Sequence, residues 1–180
     1  MTDSSPDDQA ASTRTGVLFL CLGNICRSPL AEGIFIHHAT RRGVIERFRV
    51  DSAGTGGWHA GSRPDPRSVA VAEKHGVHLP GRARQLDGLV DGAGDGAGNG
   101  TGFDLVLAMD TQNKMDAIEM GVPESRVRLM RSFDPTAAPD AEVPDPYYGG
   151  DRGFDDVYDM LVRACEGLLD HLLADGTRDG

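Results

Sequence analysis

Residues 17–29 read Val-Leu-Phe-Leu-Cys-Leu-Gly-Asn-Ile-Cys-Arg-Ser-Pro. Val17 to Leu20 has the length and the β-branched or aromatic character of a buried strand, and Pro29 followed by Leu30-Ala31-Glu32 opens a helix. The intervening residues Leu22, Gly23, Asn24, Ile25, Cys26, Arg27 and Ser28 then form a loop at a strand-to-helix junction. Free backbone N–H groups and the positive end of a helix dipole converge at such a junction, which makes it an anion site. Cys21 borders that site, where the helix end and an arginine both favour the thiolate, the nucleophilic form of the side chain. Arg27 supplies a planar guanidinium able to grip two phosphate oxygens at once. A nucleophile and an anion cradle within a few residues of each other point to attack of sulfur on a bound phosphoryl group. The bland alternative is a buried, inert Cys21 at a strand end.

Further along the chain, strands and helices alternate. Leu30 to Arg42 carries apolar residues at Leu30, Ile34 and Phe35 and closes at Gly43, as a helix does. Phe48 to Ser52 reads as a short strand running into the glycine-rich Ala53 to Gly57, and Arg67 to His75 as a second helix stopped by Gly76. Phe103 to Met109 is a continuous apolar strand; Asp110 caps a helix reaching about Met120, and Val127 to Met130 is a fourth strand. Phe154 to Leu173 places Val157, Leu161, Ala164, Leu168, Leu169 and Leu172 at helical spacing, enough to cover one face of a sheet. This order predicts an α/β fold with a parallel sheet wrapped on both faces, its ligands beyond the carboxyl ends of the strands, where Cys21 stands.

Composition narrows the function. A chain of 180 residues with a formal net charge of −10 fits one domain and lacks the positive field that binding to nucleic acid requires. No apolar run is long enough to span a membrane, and Met1 to Thr15 is polar, has no secretory pattern and reads as a disordered tail. Residues 16–173 form the expected domain and 174–180 a short C-terminal tail. Asp87 to Gly102, ending in DGAGDGAGNGTG, reads as a mobile surface insertion, and its four-residue period fits neither an EF-hand loop nor the nonapeptide calcium repeat. The three cysteines are too few for a disulfide framework and lack zinc spacing, so a reducing cytoplasm is expected. Cys165 falls on the apolar stripe of the last helix and reads as core. Cys26, inside the same loop as Cys21, is either a redox partner for it or a residue packed beneath the loop.

Transfer from an oxygen ester also needs a proton for the departing group. Asp145, in Val-Pro-Asp-Pro-Tyr-Tyr-Gly-Gly, is the late candidate: prolines stiffen its loop, and Tyr147 and Tyr148 supply flat apolar faces suited to an aryl phosphate.

The loop CLGNICRSPLAEG, the segment DSAGTGGWHAG, Leu107-Ala-Met-Asp110 with Asn113, the run RLMRSFDP and the late DPYYGG together resemble the low-molecular-weight protein tyrosine phosphatases, in order and at the expected spacing from about Gly16 to Leu173. The resemblance implies a three-layer fold, a four-stranded parallel sheet with helices on both faces, using no metal and no cofactor. It implies Cys21 as nucleophile, Arg27 as the phosphate ligand, Ser28 as a donor to the thiolate, Asn24 shaping the loop with support from Ser52, and Asp145 as general acid. Trp58 resembles an aromatic gate opposite Tyr147 and Tyr148, with a partly buried anchor as the alternative. The implied substrates are tyrosine-phosphorylated proteins, with inorganic phosphate or similar oxyanions held in the loop.

Two features depart from that pattern: the insertion at 87–102, and Gly81, which stands where some relatives place a histidine linked to the loop. Three relatives of other function share the scaffold. Arsenate reductases need two further cysteines on a mobile segment, and the only other one here is Cys165. Protein-arginine phosphatases typically carry threonine at the position of Ile25 and one phenylalanine at that of Tyr147 and Tyr148. A silent phosphopeptide-binding module would dispense with the cysteine or the acid, and both are present.

Overall fold

In the first strand, β1 (Thr15–Cys21), every side chain from Val17 to Cys21 is buried. Burial on both faces requires a central position in the sheet, and β1 has one. It pairs in parallel with β2 (Phe48–Gly54) on one side and with β3 (Leu105–Ala108) on the other, and β3 pairs in parallel with β4 (Val127–Leu129). The order is β2-β1-β3-β4. The computed structural model describes residues 14–93, 102–150 and 152–176.

The period-two geometry of β1 sorts its side chains into two cores. Val17, Phe19 and Cys21 face helices α1 (Arg27–Arg41) and α5 (Gly153–Gly176), where Leu30, Ile34 and Phe35 meet Leu161, Leu168 and Leu169. Leu18 and Leu20 face the opposite layer, built on Ala117 of α4 (Thr111–Glu119) together with Leu86, Phe103 and Val122. Phe35 lies 5.7 Å from Phe19 and 5.3 Å from Phe48, ring centre to ring centre. Each such aromatic, fully buried, contributes roughly 2–3 kcal/mol over its exposed state. Cys165 is fully buried against α1 and donates to the Ala31 carbonyl at 3.6 Å. Cys21 therefore stands at the carboxyl end of the central strand, on the face covered by α1 and α5.

Several boundaries differ from those expected. Helix α1 begins at Arg27, with Cys26 at its N-cap, so Arg27 and Ser28 belong to the first turn and not to the loop. Pro29 does not delay the start, because N–H groups of a first turn have no intrahelical acceptor to lose. Strand β1 already includes Thr15, β2 runs on through Ala53 and Gly54, and α5 extends to Gly176 beyond the expected end at Leu173. Strand β3 is shorter than the apolar run 103–109, although Phe103 and Met109 are both buried: Phe103 N donates to Asp91 O at 2.7 Å, and Met109, whose N–H still reaches Leu20 of β1, gives its carbonyl to Val143 N at 2.8 Å.

The expected insertion is corrected at its start. Asp87 caps a short helix, α3 (Gly88–Asp91), accepting from the amides of Leu89 and Val90, and the Asp91 carboxylate is buried against Arg84. Acidic, glycine-rich composition hid a capped turn, because Asp and Gly serve helix ends as well as loops. The remainder of the repeat, 94–101, and the tail 1–13 lie outside the described residues, as do 177–180.

Candidate active site

The loop 22–26 is shaped by what its carbonyls reach. Cys21 O accepts from Thr55 N at 2.9 Å, Leu22 O from Gly56 N at 2.9 Å, Ile25 O from Asp65 N at 2.8 Å, and Cys26 O from Ser68 Oγ at 3.2 Å. All four point outward, into the segment after β2 and the start of helix α2 (Pro66–Lys74). In a planar trans peptide the following N–H points the opposite way, so the amides of Leu22, Gly23, Cys26 and Arg27 turn away from those partners, toward the inside of the loop, and the amide of Asn24 reaches the sulfur of Cys21. Gly54 makes this close lap possible: a Cβ there would sit 2.7 Å from Leu22 O and 3.1 Å from Asn24 N.

Asn24 has a positive φ of 55°. That conformation is uncommon outside glycine, and asparagine tolerates it best. Here the side chain fixes it. Asn24 Nδ2 donates to Ser28 Oγ at 2.8 Å and to Ser52 Oγ at 3.0 Å, while Asn24 Oδ1 accepts from Arg84 N at 3.0 Å. No histidine is among the partners of Asn24 in the described residues, and Gly81 has φ 78°, a backbone conformation suited to glycine. Ser28 Oγ lies 3.0 Å from Cys21 Sγ. Ser28 Oγ accepts from Asn24, and its single proton has two acceptors in reach, the sulfur and, at 3.4 Å, the Ala53 carbonyl; the sulfur also receives Asn24 N at 3.3 Å.

Behind Ser52 sits Glu32, buried, accepting from Ser52 Oγ at 2.7 Å. Burial raises its carboxyl pKa to about 7, only partly offset by the Ser52 hydrogen bond. Within the loop, the Cys26 thiol is also buried and is pushed up to about 12, first by desolvation and then by the charges of Asp65, Cys21 and Asp145. It is a protonated thiol at neutral pH.

Arg27 is buried, and its Nη1 donates to Asp110 Oδ2 at 2.7 Å and to Val143 O at 3.0 Å. Its Nη2 lies 3.9 Å from Asp145 Oδ2. Burial alone would lower its pKa, but Cys21, Asp110 and Asp145 outweigh that and raise it, so the guanidinium is a fixed charge. Asp110 also closes a capping box with Asn113 at the start of α4. One carboxylate thus fastens a helix N-terminus and the arginine together.

These groups surround an open pocket of about 340 Å³, lined above the loop by Ile25, Trp58, His59, Asp145, Tyr147 and Tyr148. The Trp58 ring folds over Gly56, where a Cβ would meet it at 1.8 Å, yet the side chain remains 75% exposed. It is a pocket wall, not a buried anchor. Tyr147 and Tyr148, also in the lining, pack edge to face at 4.8 Å. Asp145 is half exposed, and its Oδ1 accepts from Tyr147 N at 3.0 Å.

The pocket brings Cys21, Arg27, Asp145, Trp58, Tyr147 and Tyr148 together although well over a hundred residues separate the first from the last. Ser52 lies one layer deeper, behind Asn24. Sequence reasoning missed His59, which packs on Gly23; Asp110 as the partner of Arg27; and Glu32 and Arg84 behind the loop. For Asp110 a signal existed, since it ends a strand at the carboxyl edge of the sheet, where sites gather. For Glu32 and Arg84 none did.

A cysteine under a ring of inward amides and beside a buried arginine, on a doubly wound parallel sheet, defines a cysteine-based phosphate-handling enzyme. Over residues 16–178 the chain matches the family model of low molecular weight phosphotyrosine protein phosphatases. The low molecular weight phosphotyrosine protein phosphatase of Schizosaccharomyces pombe is 41% identical over 156 residues, covering 85% of this chain and 94% of that protein. The crystal structure of a protein tyrosine phosphatase from Entamoeba histolytica, with Hepes in its active site, superposes with a TM-score of 0.79 at 33% identity, covering 90% and 99% of the two chains. A Drosophila arginine phosphatase superposes with a TM-score of 0.74 at 30% identity, covering 87% and 96%. The chain belongs to the low molecular weight phosphotyrosine protein phosphatase family, a family of hydrolases.

Proposed function

We propose that this enzyme hydrolyses phosphotyrosine in tyrosine-phosphorylated proteins through a phosphocysteine intermediate. The observation that carries the reading is Cys21 Sγ beneath the inward amides of its loop, with Arg27 and Asp145 facing the same space. In the first step the Cys21 thiolate attacks phosphorus in line. The S–P bond forms, the P–O bond to the phenol breaks, and Asp145 gives its proton to the departing oxygen. Arg27 and the loop amides hold the phosphoryl oxygens, and Ser28 donates to the sulfur. In the second step Asp145 takes a proton from water as the water attacks phosphorus; the S–P bond breaks and inorganic phosphate leaves the loop. The aromatic walls Trp58, Tyr147 and Tyr148 suit a flat ring, and the depth of Cys21 suits a long stem. Phosphoserine would stop short of the sulfur. The three free cysteines support work in a reducing cytoplasm, and no helix among the described residues is long and apolar enough to cross a membrane.

The test compares hydrolysis of phosphotyrosine, phosphoserine and phosphoarginine peptides by the purified protein. Phosphotyrosine should lead clearly in kcat/KM; a lead for phosphoarginine would assign the alternative activity on this scaffold, and equal rates for phosphoserine would remove the depth argument. Rapid quench with a labelled aryl phosphate should give a phosphoenzyme in the wild type and none in Cys21→Ser.

A further inference from the structure

The general acid lies in a stretch with no regular structure, between Phe133 and α5. Its near end is fastened: Val143 bonds Met109 through its N–H and Arg27 through its carbonyl. Beyond Val143 the backbone turns on itself, with Tyr147 N on Asp145 Oδ1 and Gly149 N on Pro146 O. What holds this turn against the rest of the pocket is a side chain from α2. Arg67 Nη1 donates to Tyr147 O at 3.1 Å, and its guanidinium lies over the Tyr147 ring at 5.2 Å and the Phe154 ring at 4.6 Å.

The guanidinium is itself pre-set. Asp65, the N-cap of α2, accepts Arg67 N at 2.8 Å and Arg67 Nε at 3.0 Å on one oxygen, and Arg67 Nη2 at 2.9 Å on the other. Asp65 is buried and tied to the cysteine loop through its N–H on Ile25 O. An isolated ion pair at a surface contributes little. This one differs in geometry, because a two-pronged grip on Asp65 leaves one nitrogen aimed across the pocket mouth.

We propose that Arg67 is a positioning residue for the general acid: it fixes Tyr147 by its carbonyl and ring, and Tyr147 in turn fixes the Asp145 carboxylate by its N–H. The inference rests on the role proposed above for Asp145. The hydrogen bonds of Arg67 go to Asp65 and Tyr147, and none goes to the cysteine loop or the sulfur, although its charge reaches Cys26. Its effect should therefore appear only where the proton from Asp145 matters.

The experiment measures kcat/KM, which reports the first chemical step, for Arg67→Ala and Arg67→Lys in the full chain, each with and without Asp145→Ala. Two substrates are used, phenyl phosphate with a poor leaving group and 4-nitrophenyl phosphate with a good one. Misplacing a reacting group by an ångström or less costs on the order of tenfold or more. Arg67→Ala should lose about that on phenyl phosphate, much less on 4-nitrophenyl phosphate, and nothing further once Asp145 is alanine. Arg67→Lys keeps the charge beside Asp65 but has no second nitrogen for Tyr147 O, so it should show the same selectivity. It serves if the alanine variant fails to fold. Added guanidinium should restore part of the phenyl phosphate rate in Arg67→Ala. Equal loss on both substrates, loss that persists in the Asp145→Ala background, or no loss in either variant overturns the proposal. Full activity of Asp145→Ala alone on phenyl phosphate would instead overturn the assignment of the acid.

Discussion

Cys26 lies beside the proposed nucleophile in the same loop, yet the two thiols sit in different surroundings. Cys21 faces inward amides and the Ser28 hydroxyl, whereas Cys26 is buried against Asp65 and held protonated, its pKa near 12. If peroxide converts Cys21 to a sulfenic acid, Cys26 can condense with it to a disulfide and release water, sparing Cys21 from irreversible oxidation. The high pKa of the attacking thiol sets the rate of that step, since the thiolate is the reactive form. Disulfide formation should therefore quicken as pH rises from 6 to 9. Activity lost to brief peroxide should return with dithiothreitol in the wild type and remain mostly lost in Cys26→Ala. Mass spectrometry that finds no Cys21–Cys26 linkage, together with full recovery of Cys26→Ala, reduces Cys26 to a packing residue.

At the scale of elements, the cysteine loop is held where four chain ends meet: the carboxyl ends of β1 and β2 and the amino ends of α1 and α2. The lap of the cysteine loop over Gly54 is the tightest joint among them. A methyl group at that position meets backbone atoms of Leu22, Gly23 and Asn24, none of which can swing aside as a flexible side chain would. Gly54→Ala must therefore displace the loop or push it away from β2. Overpacking of this kind costs typically 1–3 kcal/mol, and here the strain falls on the amides proposed to hold the phosphoryl oxygens. The variant should fold with a lowered Tm and lose at least tenfold in kcat/KM for aryl phosphates. Wild-type kinetics in Gly54→Ala would mean that the cradle tolerates a looser seat than its geometry implies.

For the molecule as a whole, the most consequential buried group is Glu32. Its pKa in the fold is about 7, against an ordinary value of 4.5, with burial the chief cause. A raised carboxyl pKa means that the folded state holds a proton the unfolded chain has released. The part of the stability that depends on Glu32 is thus full below about pH 4.5 and is lost as pH rises through 7. The shift corresponds to a loss on the order of 3 kcal/mol by pH 8. Glu32→Gln removes the titration while keeping an oxygen for Ser52. Its stability by urea unfolding should match the wild type near pH 4.5 and exceed it increasingly up to pH 8. A difference between the two proteins that does not vary with pH excludes this role for Glu32.

Much of this was legible in the residues alone. The apolar run into Cys21, the arginine that follows and the strand–helix alternation depend on local chemistry, so the order of elements and the anion cradle could be read directly. The exact start of α1 could not, because a proline three residues into a helix looks like its first residue. Nor could the capped turn within 87–102, whose composition suits a loop equally well. Asp145 was legible only as a candidate acid among many, since nothing local says which loop returns to the sheet's carboxyl edge. The sequence by itself determined the order of elements, the α/β class and the loop that carries Cys21 and Arg27, each written in contiguous residues. Only the tertiary structure decided that Asp110 would hold Arg27, that Glu32 and Arg84 would back the loop, and that Arg67 would reach across to Tyr147. Those pairings join residues from separate elements, and it is the packing of the layers, not any local pattern, that brings them within bonding distance.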